Sequence, residues 1–345
     1  MPIVRTSGRL PDGRAIHFYD ADPASPRREL APPGPATTPP ASQLRWDAWL
    51  DEWVVVATHR QRRTARSDVC PLCPSLGEIP GASYEVVVFD NRYPALPAVI
   101  GDPGPAGGHC EVVSYTDDHE VALSGLPLSR VETVVTAWAD RTAALNERPD
   151  VAQVFCFENR GAVVGATLAH PHGQIYAYPF VPARLRRLAE VADARWDAHR
   201  ECVACVTVGR EHEDPSRVVV TGEAWTAFVP YAAHWPYEVR VVPHRHVPDL
   251  AAVDPWERAD LAHVLRRVLG QFDGLFQRPA AYVLSWIQAA ARPARPAAHV
   301  YAEIVSPMRS PADRKHPAAG ELGAGMYVNE MSPERAAAAL RGEGR

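Results

Sequence analysis

Cys70-Pro-Leu-Cys73 recurs as Cys202-Val-Ala-Cys205, and each pair is followed by two histidines at nearly the same distances. In the first half His119 comes 46 residues after Cys73 and His170 another 51; in the second, His246 comes 41 after Cys205 and His299 another 53. The intervening segments repeat in the same order. "SYEVVVFDNRYPAL" and "QVFCFENRG" read as strands on either side of the helically spaced "RVETVVTAWADRTAALNE". "YEVRVVPHRHV" and "AAYVLSWIQA" read as strands around "PWERADLAHVLRRVLGQFDGLF", a helix opened by proline, and "AHVYAEIVSP" is a final strand. A chain built this way is an internal duplication. The expected fold is α+β, two similar halves sharing one continuous, mostly antiparallel half-barrel sheet with helices outside. The expected divisions are an extended, proline-rich N-terminal arm over 1–45, a first half over 46–195 and a second over 196–345.

Whether the cysteines pair with each other or with a metal depends on compartment. The first twenty residues lack the apolar core of a secretory signal, and no apolar run approaches the ~18 residues of a membrane span. A cytoplasmic location follows as the expectation, and disulfides are disfavoured there. In such a setting C-x2-C is more often a metal site than a bridge. A thioredoxin-like redox pair is the rival reading, weakened at the first pair by Pro71 and Pro74 and by the lack of an obvious helix after it. Two thiolates and two imidazoles make the usual closed shell of structural zinc. Cys70, Cys73, His119 and His170 are therefore expected to hold one Zn2+, and Cys202, Cys205, His246 and His299 a second. Cys110 and Cys156 fit no pattern and read as core. The formal net charge of −5 and the absence of a basic run give no support for nucleic-acid or membrane partners.

"AHPHGQIYAYPF", residues 169–180, places His170, His172 and Gln174 at the entrance to a β-rich run, where residues two apart share a face. With "CFENRG" ahead of it and "HWPYE" in the second half, the chain resembles the histidine-triad superfamily and, within it, the galactose-1-phosphate uridylyltransferase family. The resemblance runs over nearly the whole chain, so each half is expected to be histidine-triad-like.

That resemblance implies a nucleotidyltransferase working by double displacement through a phosphoryl-histidine. It assigns His172 as nucleophile, His170 as the zinc ligand that anchors its strand, and Gln174 as a donor to a non-bridging phosphoryl oxygen. A neutral amide there stabilises the intermediate but delivers no proton well, which favours transfer over hydrolysis. Arg60, Arg63, Asn91, Asn159, Gly165 and Thr167 match nucleotide and phosphate contacts. Lys315, the single lysine against 35 arginines, and Glu321 match a hexose-binding loop. The implied partners are a nucleotide sugar, a sugar 1-phosphate and a second copy of the chain as a homodimer.

Some positions depart from the family. Its other known second-metal set is broken here by Leu188, Ile287 and Tyr301, and Tyr301 stands where a second nucleophile would be, so the second half is expected to be catalytically silent. His316, Gly320 and Tyr327 alter the hexose loop and leave the acceptor sugar open. An adenylyl-transferring phosphorylase of the same superfamily and a non-catalytic zinc-stabilised binding protein are the competing functions.

Overall fold

The structure, a computed structural model, describes residues 3–21, 42–58, 70–74, 77–81, 83–96 and 107–343. Its strands are β1 (Val4–Arg9), β2 (Ala15–Asp20), β3 (Gln43–Asp47), β4 (Glu52–Val56), β5 (Val86–Asp90), β6 (His109–Ser114), β7 (Gln153–Arg160), β8 (His172–Tyr178), β9 (Val218–Thr221), β10 (Trp225–Phe228), β11 (Tyr237–Pro243), β12 (Tyr282–Ile287) and β13 (Tyr301–Ser306). The helices are α1 (Leu128–Asn146), α2 (Ala183–His199), α3 (Val203–Glu213), α4 (Pro255–Leu275), α5 (Ala319–Ala324) and α6 (Pro333–Arg341).

Eleven strands form one open sheet in the order β1-β2-β5-β6-β8-β7-β12-β13-β11-β10-β9. Every neighbouring pair is antiparallel. The order β5-β6-β8-β7 returns in reverse as β12-β13-β11-β10, so the duplication is a pseudo-two-fold arrangement with β7 and β12 at its seam. Register makes the equivalence residue by residue. Ser114 lies opposite His172 and Phe157 opposite Gln174 in the first half; Ile287 lies opposite Tyr301 and Ser285 opposite Glu303 in the second. His172 thus corresponds to Tyr301, Gly173 to Ala302, Gln174 to Glu303 and Asn159 to Ile287.

The core lies on one face of the sheet, under α1 and α4, which also pack on each other. In α1 Val131, Val134, Val135 and Trp138 recur at helical spacing, as do Leu261, Leu265, Val268 and Phe272 in α4, and all eight are buried. Glu257 accepts from the Asp254 amide at 2.9 Å just before Pro255, which fixes the start of α4. Trp286 of β12 meets Trp138 and Trp225 at centroid distances of 5.8 and 6.2 Å, so indoles from both halves fill one core. The other face is covered in the second half by α3, whose Val208 packs on Phe228 and Val242.

Two expected boundaries are corrected. Residues 4–20, assigned to the extended arm, form the β1–β2 hairpin and join the main sheet through β5. Alternation in "AIHFYD" sends Ile16 and Phe18 into a buried cluster, and Gly13, at φ 87°, closes the turn. The proline-rich stretch itself, 22–41, lies outside the described residues. The division between 195 and 196 falls inside α2, a helix of 17 residues. Its Arg184 bonds Glu303 of β13 at 2.8 and 2.9 Å and its Arg186 bonds Asp51 at 2.7 and 2.8 Å, so α2 bridges the two halves.

Candidate functional site

His172 opens β8, and the ladders on either side decide where it points. Cross-strand partners share a face, so His172, Gln174, Phe157 and Asn159 stand together on the face away from α1 and α4. Ile175 and Ala177 alternate into the core. Gly173 sits between His172 and Gln174 because nothing larger fits: a Cβ there would lie 2.2 Å from the Tyr115 hydroxyl oxygen and 2.9 Å from the Phe157 carbonyl oxygen.

His170 is buried immediately before the strand, at 1% exposure. Its Nδ1 is 3.7 Å from the Sγ atoms of both Cys70 and Cys73, and Cys73 Sγ is 3.5 Å from His119 Nδ1. The other ring nitrogen, Nε2, donates to the Thr116 carbonyl at 2.7 Å. His172 Nδ1 in turn donates to the carbonyl of His170 at 2.8 Å. One imidazole is thereby fixed at both nitrogens, and its backbone orients the next. Burial alone would push the Cys70 thiol up, but hydrogen bonds from His170 and from the Leu72 and Cys73 amides bring it down to about 6. Burial and the neighbouring Cys70 raise Cys73.

In the second half Cys202 immediately precedes α3 and Cys205 lies in its first turn. Their Sγ atoms are 3.3 and 3.4 Å from His299 Nδ1, and Cys205 is 3.6 Å from His246 Nδ1. Burial and repulsion from His246 hold His299 down to about 4, so the ring is neutral. In each half the four ligand atoms lie within 4.8 Å of one another, and both sets could hold a metal ion. Asp90, His109 and Glu111 also converge. There Arg141 takes both oxygens of Glu111 at 2.6 and 3.0 Å, which makes the group an internal charge network.

Between β7 and β8 the chain turns through Gly161 and Gly165, at φ 94° and 88°, conformations that a side chain would strain. Arg160 is drawn off to Asp273 of α4 at 2.6 Å, which leaves Asn159 at the mouth of the turn.

Known proteins resemble this chain in sequence and fold. The sequence profile described as galactose-1-phosphate uridyl transferase, N-terminal domain, matches residues 36–182, and that of the C-terminal domain matches 195–341. The chain belongs to this family. It is 42% identical over 295 residues to the galactose-1-phosphate uridylyltransferase of Streptomyces lividans, covering 83% of this chain and 81% of that one. The Thermotoga maritima enzyme of the same name is 37% identical over 313 residues, 87% and 98% of the two chains. A solved uridylyltransferase structure superposes with a TM-score of 0.79 at 30% identity, over 88% of this chain and 98% of that one.

The residues matched to the galactose-1-phosphate uridyl transferase family fall in different places. Arg60 and Arg63 lie outside the described residues. Gly165 and Thr167 are exposed in the β7–β8 turn. Asn91 is buried at the end of β5, where its Oδ1 accepts from the Tyr93 amide at 2.8 Å and shapes the turn. Lys315 and Glu321 come together, but with each other: Nζ is 3.3 Å from the Glu321 carboxylate and donates to the carbonyls of His234 and Val328. At 4% exposure Lys315 is the internal post of its loop. The neighbouring Arg314 ties that loop to the β7–β8 turn through the Val163 carbonyl at 3.1 Å.

Three contributors have no motif of their own. Thr116 serves as a carbonyl, which any residue supplies, and Tyr115 matters only because Gly173 leaves room for it. The third is an aromatic row: Phe155, Phe157, Tyr176, Tyr178 and Phe180 succeed one another at 4.9 to 5.9 Å along the site face. Its trace in the sequence is the alternation of "FCF" and "YAYPF".

Proposed function

We propose that this chain moves a uridylyl group from UDP-glucose to galactose 1-phosphate, or a related sugar phosphate, by double displacement through His172. The hydrogen bond from His172 Nδ1 to the His170 carbonyl carries the reading. A carbonyl only accepts, so Nδ1 keeps its hydrogen and Nε2 keeps the lone pair. Nε2 attacks the α-phosphorus; an N–P bond forms as the P–O bond to glucose 1-phosphate breaks. The leaving group departs as an anion without needing a proton. The acceptor's phosphate oxygen then attacks the same phosphorus, the N–P bond breaks and the neutral ring returns. While the ring carries the nucleotide it is cationic, and the His170 carbonyl stabilises the Nδ1–H. Gln174, on the same face, donates to a non-bridging oxygen. Asn159, Asn91, Arg60, Arg63, Gly165 and Thr167 hold the nucleotide and its phosphates.

In this reading both Cys/His sets hold Zn2+. With Zn–S about 2.3 Å and Zn–N about 2.0–2.1 Å, a tetrahedral ion sets sulfur and nitrogen about 3.5 Å apart. The distances of 3.5–3.7 Å in the first set and 3.3–3.6 Å in the second fit that shell. The metal takes no part in transfer; the first site clamps His170 and so places the acceptor for His172. Lys315 and Glu321 act on the hexose by holding the shape of their loop. That loop exposes Leu322, Met326 and Val328, apolar side chains that favour a homodimer with this surface covered. No helix among the described residues is long and apolar enough to cross a membrane.

Mass spectrometry of the protein after incubation with UDP-glucose tests the proposal. One uridylyl group on His172, acid-labile and lost in His172→Gly, is the expected result. Labelling from ADP-glucose in place of UDP-glucose would move the assignment to adenylyl transfer, and labelling from neither would leave a zinc-stabilised binding protein.

A further inference from the structure

Beneath the site, on the core side of the sheet, three residues differ as a set between the halves. Glu158 of β7 lies between Phe157 and Asn159 in sequence and points to the opposite face, where it is 3% exposed. Tyr115 follows β6 and is fully buried, its ring edge-on to Trp138 at 5.8 Å. Gly173 stands between His172 and Gln174. By register their counterparts are Trp286, Pro243 and Ala302. The silent half thus fills with carbon what the first half fills with a carboxyl and a phenol. A buried carboxyl works against folding, so its presence only in the half with the chemistry points to a use.

Tyr115 touches the start of β8 at two points, one on each side of His172. Its amide donates to the Pro171 carbonyl at 3.3 Å. Its hydroxyl sits against Gly173, 2.2 Å from where a Cβ would be. The next residue, Thr116, accepts from His170 Nε2 through its carbonyl. Residues 115 and 116 therefore bear on 170, 171 and 173, and His172 is placed between them. Pro243 has neither an N–H nor a hydroxyl to offer Ala302. What holds the Tyr115 hydroxyl is Glu158. Its Oε1 accepts from the Tyr282 hydroxyl at 3.0 Å, which pins the carboxyl to β12. Neither the Tyr115 hydroxyl nor Glu158 Oε2 closes a full hydrogen bond among the described residues; the carboxyl and the hydroxyl act on each other across a longer gap. The chain of contacts runs from Tyr282 through Glu158 and Tyr115 to Gly173, and ends on the backbone that joins the nucleophile to Gln174.

We propose that Tyr115 and Glu158 are positioning residues for transfer: the phenol, held by the carboxyl, sets the height of Gly173 and so the aim of His172 Nε2 and the Gln174 amide at one phosphorus. This rests on His172 being the nucleophile. Single-turnover labelling of the full-length, zinc-loaded protein by UDP-glucose tests it, followed by mass spectrometry over a range of concentrations below the thermal transition of each variant. Tyr115→Phe removes one oxygen and keeps the ring. It should lower the saturating labelling rate by about tenfold or more and leave the half-saturating concentration and the zinc content unchanged. Glu158→Met, similar in volume, should do the same, and the double variant should be no slower than either single one. Glu158→Gln, whose amide still accepts from Tyr282 and donates to Tyr115, should keep most of the rate. A residue that merely held the fold would lower the melting temperature and leave the rate of the folded protein alone. Wild-type rates in Tyr115→Phe, a change confined to half-saturation, Glu158→Gln as slow as Glu158→Met, or additive losses in the double variant would each overturn the proposal while leaving His172 as nucleophile. A wild-type protein that takes no label would overturn the transfer reading and the proposal with it. Should Glu158→Met fail to fold, the rate in Tyr115→Phe decides.

Discussion

The two halves of this molecule have the same strand order, the same register and the same four-ligand sets, yet one carries His172 and Gln174 where the other has Tyr301 and Glu303. The shared parts are those that build the frame; the parts that differ lie on one face of the sheet. A duplicated frame therefore holds its shape without duplicated chemistry. In the first half the imidazole before the strand is satisfied at both nitrogens and lends its carbonyl to a neighbour. In the second the matching imidazole, His299, is buried with its Nδ1 3.3 and 3.4 Å from the two thiols.

The largest test of this contrast is at the paired positions themselves. His172→Gly should abolish nucleotidyl labelling and lower transfer by on the order of 10^4-fold or more, whereas Tyr301→Phe should label at the wild-type stoichiometry. Labelling that follows Tyr301 instead would reverse the roles of the halves. The metal sets come next. Elemental analysis should find about two zinc per chain, falling by one in Cys70→Ser and by one in Cys202→Ser, with labelling lost only in the former. One zinc per chain, unchanged by Cys202→Ser, would leave the second half without a metal.

A smaller effect separates Glu158 of β7 from its counterpart Trp286. Burial lifts the Glu158 carboxyl from the usual 4.5 to about 7, against the hydrogen bond from Tyr282 and the charge of Arg160. Between those values the unfolded chain is ionised while the native one keeps its proton. Stability is then greatest below the lower value and falls as pH rises to the upper one, by on the order of 3 kcal/mol. Glu158→Gln should flatten that dependence in urea melts across the window; a slope unchanged by the substitution would place its origin elsewhere. The smallest effect is at Gly173, whose counterpart is Ala302. Gly173→Ala should cost about 1–3 kcal/mol through the Tyr115 hydroxyl, partly recovered in Tyr115→Phe, as measured by thermal unfolding. Full tolerance would mean that the ring moves aside freely.

Much of this was legible in the chain. The spacing of cysteines and histidines pointed to both Cys/His clusters and to the duplication, because residues that must converge in space are constrained in their order along the chain. The face shared by His172 and Gln174 followed from strand periodicity. The β1–β2 hairpin is also written in the chain, in Asp12-Gly13 before "RAIHFYD", ahead of a proline-rich stretch that carries no such alternation. What pattern alone could not give were partners that act through backbone, such as the Thr116 carbonyl, and the fate of Lys315. A lone lysine signals a needed ammonium; that it is met by two carbonyls and Glu321 inside its own loop depends on how residues 231–236 and 328 fold around it.

The pairing of β7 with β12 has a consequence for any product of half length. Tyr282 to Ser285 take their ladder partners from Phe157 to Arg160, so a fragment ending after α2 would present β7 as a bare edge in mid-sheet. Such an edge is a template for another strand. A truncated chain would thus be expected to recruit its missing complement when that is supplied separately, and to stack on copies of itself when it is not.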